Sequence, residues 1–310
     1  MRSAAKTGLS RRAKNNISCY LMCGLPVLGF FIFALVPLVI SLYLSFTELS
    51  TLNFYSATFN GIENFKTLFS DPLFGKSIVN TLYAMISVPL SMILGLLIAQ
   101  VLTRDMLKGK RFFRTLFFIP YVCSTVAVTL VFKWMFNTEF GVINNLLGTK
   151  INFFLNEKLF MPLMIFITTW TGTGYYIILF QAALTNVNPS LVEAAKIDGA
   201  GPIRRFFAIT VPTISPTTFY LLVMGVIGGL QSFTWFQIIC DPIQASGYGW
   251  GPGDRGITIV YYVYNKAFAT GTGVIQGGVA AAAAWVLAAG ILLITVLNFK
   301  LSKYWVHYEN

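Results

Sequence analysis

Few residues in this 310-residue chain could do chemistry, and their spacing excludes more reactions than it suggests. The single histidine, His307, lies in the C-terminal tail among Trp305 and Tyr308, which is poor material for a metal site or a proton relay. Cys19, Cys23, Cys123 and Cys240 fall in or beside apolar stretches, without the paired spacing of a disulfide framework or a metal site, and read as reduced packing residues. Gly75-Lys76-Ser77 looks like the end of a phosphate-binding loop, yet the glycine required five positions before Gly75 is Ser70. No catalytic residue and no metal ligand is assigned. What remains is the chemistry of recognition: a polar, glycine-hinged segment at 188–216, and two clusters in which aromatic rings stand beside hydroxyls and amides. These clusters are Trp170 to Tyr176 and Gln231 to Trp235.

The segment 188–216 reads as two short helices set at an angle. Ser190 followed by Glu193 has the spacing of a capping box, which starts a helix at about Ser190. Gly199 and Gly201 offer the positive φ that ends helices, and Pro202 stands where a second one begins. That second piece, 202–210, carries Arg204 and Arg205 on one side and Phe206, Phe207 and Ile209 on the other. Pro212 and Pro216 mark entry into the next apolar run. Such an elbow offers apolar and charged groups to something outside itself.

The elements that must position these residues are membrane helices. Hydrophobic residues make up 56% of the chain, charged residues only 11%, and the mean hydropathy is +0.70, well outside the range of soluble globular domains. A hydrocarbon core about 30 Å thick needs on the order of 20 apolar residues per helix. Six stretches qualify, at 18–46, 77–103, 113–135, 160–186, 212–238 and 272–299. Prolines 26, 37, 89, 120 and 162 fall within or near these spans and are expected to kink rather than break them. The run from Ile17 is too long for a secretory signal core and is kept as an uncleaved first span, with 1–16 as a loose cytoplasmic tail.

Orientation follows from the basic residues. With both termini cytoplasmic, the outer side holds only Lys66, Lys76, Lys133, Lys150, Lys158, Arg255 and Lys266, leaving fifteen of the 22 cations inside, Arg104 among them. The seven outer cations are matched by Glu48, Glu63, Asp71, Glu139, Glu157, Asp241 and Asp254, so the net charge of +11 reports topology and not nucleic-acid binding. No Asp or Glu lies inside any span, which disfavours an ion-coupled carrier. With no nucleotide site of its own, the chain needs a partner that supplies energy from the cytoplasmic side, where the elbow lies.

Glu193-Ala194-Ala195, Asp198-Gly199-Ala200, Phe207, Ile209, Pro212 and Pro216 resemble the signature loop of permease subunits of bacterial ATP-binding-cassette importers. The resemblance extends from about Pro26 to Tyr308. Asn60-Gly61-Ile62-Glu63-Asn64-Phe65, Asn80-Thr81, Gly249-Trp250-Gly251-Pro252 and Tyr261 to Phe268 look like the carbohydrate branch, closest to the first permease of maltose, multiple-sugar and glycerol-phosphate systems. The outer loops are short where the maltose member carries a large insertion. The resemblance implies an all-α polytopic chain of six transmembrane helices with the type I importer permease fold, in a bacterial plasma membrane. It divides the chain into a tail at 1–16, a first helix and outer loop at 17–76, a core at 77–303 holding a coupling loop at 188–212, and a tail at 304–310. It implies as partners a second permease in a heterodimer, two ATP-binding-cassette ATPase subunits and an extracellular solute-binding protein that delivers solute to outer loops including 249–268. No cofactor is expected.

On that resemblance, Glu193, Ala194, Ala195, Asp198, Gly199, Ala200, Phe207 and Pro212 would couple to the ATPase. A Trp-x-Gly-x-x-Tyr stretch that contacts sugar in the maltose permease is matched by Trp170, Gly172 and Tyr175, and the polar cluster of the following span by Gln231, Ser232 and Trp235. Aromatic faces stack on pyranose rings, and amides and hydroxyls exchange hydrogen bonds with sugar hydroxyls. Gln181 is a further candidate. Tryptophan and tyrosine also serve interfacial belts and helix packing, so this alternative stays open. Glycerol 3-phosphate or another polar solute, and a secondary carrier, stand as alternative readings. Gly95 with Ala99, and Gly277, Gly278 and Ala280 to Ala284, read as smooth helix-packing surfaces.

Overall fold

The structure, a computed structural model, describes residues 11–50, 57–103, 108–245, 247, 249–268 and 274–307. Arg104 and Tyr308 lie outside the described residues. Helix α1 (Arg11–Phe30) continues through a π-helical turn at Phe31–Leu35 into α2 (Val36–Ser45), so the helix begins within the stretch expected to be a loose tail. Pro26 and Pro37 are absorbed without a break. Side chains such as Met22 and Phe33 are exposed along this span, as expected where lipid is the solvent, and α2 rests against the last helix. A two-stranded antiparallel hairpin, β1 (Thr47–Glu48) with β2 (Thr58–Phe59), follows in register Thr47↔Phe59, a small departure from an all-helical chain.

Three of the spans are interrupted, one of them by a sharp bend. After the short α3 (Glu63–Ser70), Asp71 caps α4 (Pro72–Ala84), its carboxylate accepting from Leu73 N at 2.9 Å, and α4 gives way at Met85–Ile86 to α5 (Ser87–Thr103). Helix α6 (Lys110–Val122) turns by 98° into α7 (Thr125–Met135). The bend falls where Cys123 leaves the helical region for extended backbone, at φ −65° and ψ 150°, three residues after Pro120. After α8 (Val142–Leu147), helix α9 (Glu157–Thr185) runs 29 residues unbroken through Pro162. The fifth span divides at Gln231–Phe233 into α13 (Ser215–Leu230) and α14 (Thr234–Ala245). The last span is α16 (Gly277–Ser302), and among the described residues five stretches, or six counting the bent pair, are long and apolar enough to cross a membrane.

The elbow comes between α9 and α13: α10 (Pro189–Ile197), α11 (Pro202–Arg205), a π-helical turn at Phe206–Thr210, and α12 (Val211–Thr213). Its N-cap is Asn188 and not Ser190. The Asn188 side chain accepts from Ser190 N at 3.0 Å and from Ser190 Oγ at 2.8 Å, so the serine hydroxyl is spent on the cap residue instead of capping the helix itself. Gly199 has φ +76°, while Gly201 is extended at φ −65° and ψ 164° and needs no glycine freedom.

Packing confirms the smooth surfaces. A Cβ on Gly95 would fall 2.5 Å from Tyr176 Cβ, and Ala99 is fully buried, so α5 lies directly on α9. A Cβ on Gly278 would fall 2.1 Å from Thr47 O, and Ala280, Ala282 and Ala283 are buried. At the outer end α15 (Ile259–Phe268) is a core element. Trp250, Ile257, Thr258, Tyr261 and Tyr262 are buried, while Gly253, Arg255 and Phe268 of the same stretch are exposed. After Lys303, Trp305 packs on Phe219 and His307 N donates to Ser215 Oγ at 2.8 Å. Cys240 is a buried packing residue, but Cys19, Cys23 and Cys123 are exposed; all four are free thiols.

Candidate functional site

A cavity of about 470 Å³ lies where the broken spans meet the unbroken one. Ala84 and Ser87 flank the α4–α5 break, Pro120, Cys123 and Thr125 the α6–α7 break, and Gly228, Gly229, Ser232 and Trp235 the α13–α14 break. Helix α9 closes the side with Thr168, Thr171, Gly172, Tyr175 and Tyr176. Broken helices are tolerated at membrane depth where they line a cavity or are buried in protein, because their freed backbone groups need polar partners. One such group is Ser232 O, which receives Thr258 Oγ1 at 2.7 Å.

The lining is polar but uncharged. Among the described residues no Asp, Glu, Lys, Arg or His borders the cavity. Its hydroxyls are oriented by their own helices: Ser87 donates to Ala84 O at 2.8 Å, Ser91 to Ser87 O at 2.7 Å, Thr168 to Met164 O at 2.8 Å and Thr171 to Ile167 O at 2.9 Å. With these four protons so engaged, lone pairs are the free function of these four oxygens. Thr125, Ser232, the tyrosines and the Trp235 indole add groups able to donate, so the wall offers a polar guest both acceptors and donors. Aromatic surface adjoins them, Tyr121 and Tyr175 standing 5.4 Å apart at 34° and Tyr175 and Tyr176 5.4 Å apart at 72°.

Of the six residues singled out for solute binding, Gly172, Tyr175, Ser232 and Trp235 come together here. Trp170 does not. It is two residues from Gly172, which on a helix is the opposite side, and it packs on Phe117 and borders a separate apolar groove beside α7. Gln231 ends α13 as an exposed residue outside the lining, and Gln181 is buried elsewhere. Sequence reasoning missed Ser87, Ser91, Tyr121, Thr125 and Gly228. The signal was faint: hydroxyls and a glycine beside a proline or glycine in an otherwise apolar span.

The second candidate site is the elbow. Asp198 ends α10, Gly199 N donates to Lys196 O at 3.1 Å and Ala200 N to Ala195 O at 2.9 Å, a glycine-dependent helix stop that re-aims the chain at Pro202. Glu193, Ala194, Asp198 and Gly199 are exposed, Ala195, Ala200 and Pro212 half-buried. Ile197, Ile203 and Phe207 are 87%, 73% and 65% exposed. Large apolar side chains held out on a polar loop mark an interaction surface.

The outer end is held by ion pairs. Between described residues they are Lys66–Glu63, Lys76–Asp254, Lys150–Glu139, Arg255–Glu157 and Lys266–Asp71, every one among the cations and carboxylates assigned to that side. Asp71 and Lys266, 3.1 Å apart, are the least exposed pair. Burial alone would raise the Asp71 pKa, but Leu73 N–H, the Tyr262 hydroxyl at 2.8 Å and Lys266 hold it below the ordinary carboxylate value. Burial, with the neighbouring Asp71, pushes the Tyr262 phenol up.

Residues 87–303 match the family described as binding-protein-dependent transport system inner membrane component. The chain is 35% identical over 305 residues to the probable ABC transporter permease protein YesP of Bacillus subtilis, covering 96% of this chain and 94% of that one. It is 32% identical to the sn-glycerol-3-phosphate transport system permease protein UgpA of Shigella flexneri, over 82% and 84% of the two chains. Among solved structures it is similar to a chain of a bacterial alginate ABC transporter in complex with an alginate pentasaccharide-bound periplasmic protein, with a TM-score of 0.79, 25% identity, and coverage of 93% and 95%.

Proposed function

This chain belongs to the binding-protein-dependent transport system inner membrane components, and on that premise we propose that it is the membrane-spanning subunit through which a sugar or oligosaccharide is imported, driven by ATP hydrolysis on separate subunits. The permease core is 77–303, with 17–76 as first helix and outer loop. A second permease completes the pathway, two ATPase subunits seat on the elbow, and an extracellular solute-binding protein delivers solute at the outer end, meeting exposed residues such as Arg255. The cavity carries the solute, with Gly172, Tyr175, Ser232 and Trp235 in contact with it. Closure of the ATPases pulls on 188–212 and rocks the spans between inward- and outward-facing states.

The single observation that carries this reading is the elbow: three large apolar side chains, Ile197, Ile203 and Phe207, held in the open by a glycine turn on the cytoplasmic side. A polar cavity with aromatic walls and no charged side chain among its described lining residues supports a sugar over glycerol 3-phosphate, whose phosphate would meet no counter-charge from them. Substituting Gly199→Val tests the coupling. The site has open space around it, so the substitution strains only the backbone at φ +76°, by about 1–2 kcal/mol. Co-purification of the ATPase subunits and ATP-driven uptake in proteoliposomes should each fall about tenfold; unchanged values for both would sink the proposal.

A further inference from the structure

Helix α13 carries three glycines within five residues, and they are not equivalent. A Cβ on Gly225 would come 2.5 Å from Tyr176 Oη and 2.7 Å from Val88 Cγ1; on Gly229 it would come 2.9 Å from Val88 Cγ2 and 3.1 Å from Met85 Cγ. Both also border the cavity, but a side chain at either would run into Tyr176, Val88 or Met85 before it reached the lumen, so they let α13 approach its neighbours. Gly228 meets nothing within 4 Å, is exposed, and borders the cavity. Its backbone is helical, so no positive φ requires glycine, and glycine weakens a helix interior relative to alanine. Its carbonyl closes the helix by accepting from Gln231 N at 3.2 Å, which any residue could do. What the missing side chain provides is room. Gly228 sits one turn after Met224 and one turn before Ser232, and all three border the cavity.

We propose that Gly228 sets the upper size of solute the cavity admits, a specificity-determining position that rests on reading the cavity as the solute pathway. Side chains of increasing size at this position shorten the largest solute carried, while the same change at Gly225 disturbs helix packing and affects every solute alike.

The test uses the full transporter with its second permease and ATPase subunits in proteoliposomes, and a panel of radiolabelled neutral mono-, di- and trisaccharides. Gly228→Leu should lower trisaccharide uptake about tenfold relative to monosaccharide uptake, the scale on which pocket methylenes discriminate. Gly228→Ala should shift the ratio the same way by less, and Gly225→Ala should lower all sizes together. Loss that is equal across sizes for Gly228→Leu, or no loss, overturns the inference. If the unaltered transporter carries none of the panel, it is the sugar reading that fails, and a labelling arm decides the present point. With Cys19, Cys23 and Cys123 changed to serine, Gly228→Cys should react with the water-soluble reagent methanethiosulfonate ethylammonium, while the same background without it, which keeps the buried Cys240, should not. An unreactive Gly228→Cys overturns the inference as well.

Discussion

The outer end of the molecule and the elbow at its inner end are both polar segments between apolar helices, and they are built on opposite principles. At the outer end polar groups find partners within the chain. Asn80 Nδ2 donates to Asp254 O and Ile257 O at 2.8 and 2.9 Å, Thr81 Oγ1 accepts from Ile259 N at 2.9 Å, the Tyr261 hydroxyl donates to Asp241, and Asp71 joins Tyr262 to Lys266. The loops there are struts that hold α4 and α15 together. At the elbow the charged and apolar groups point outward, and the backbone turn is satisfied only by its own helix end. One end turns its polar groups on the chain itself; the other leaves large apolar groups exposed.

Three measurements can break that contrast, beginning with the largest effect. Ile197→Asp combined with Phe207→Asp should weaken ATPase binding at least about hundredfold, the scale of losing an interface anchor, while thermal stability of the isolated chain stays within about 0.5 kcal/mol, as for other exposed positions. A large drop in stability would mean that the elbow is an internal strut after all.

Next, Lys266→Ala should destabilise the chain by about 2 kcal/mol in thermal unfolding, less than for a fully buried pair because both side chains keep some solvent. Lys66→Ala, whose pair with Glu63 is more than half exposed, should cost under about 0.5 kcal/mol. Equal effects would show that burial does not rank these pairs.

The smallest effect is a pH dependence. The Asp71 pKa is lowered in the folded chain, so its stabilising contribution is fully present above the unfolded carboxylate value and is lost as pH falls through the depressed one. Asp71→Asn retains an effective helix cap. The difference in melting temperature between the unaltered chain and this variant should therefore hold steady near neutrality and close only on acidification below the ordinary carboxylate range. A difference that widens with acid would refute the assignment.

Span number and orientation were legible in composition because a bilayer demands long apolar helices and sorts cations across itself, rules that act locally along the chain. The elbow was legible because Gly199, Pro202 and the residues between them dictate backbone geometry with little help from elsewhere. Its first cap was misassigned because two residues, Asn188 and Ser190, compete for one role, and only the folded geometry shows the serine donating to the asparagine.

The cavity was half legible. Gly172, Tyr175, Ser232 and Trp235 share it while Trp170 and Gln231 do not, because which side of a helix meets a lumen depends on how neighbouring helices are rotated and broken. Chain chemistry alone determined that this protein crosses a membrane, which way it faces, and that it offers a bent polar surface to the cytoplasm. The convergence of three helix breaks on one cavity, the burial of Trp250, Tyr261 and Tyr262, and the close packing that sets Gly225 and Gly229 apart from Gly228 were decided only in three dimensions. Each depends on contacts between residues far apart in the chain, and nothing in their local sequence records those contacts.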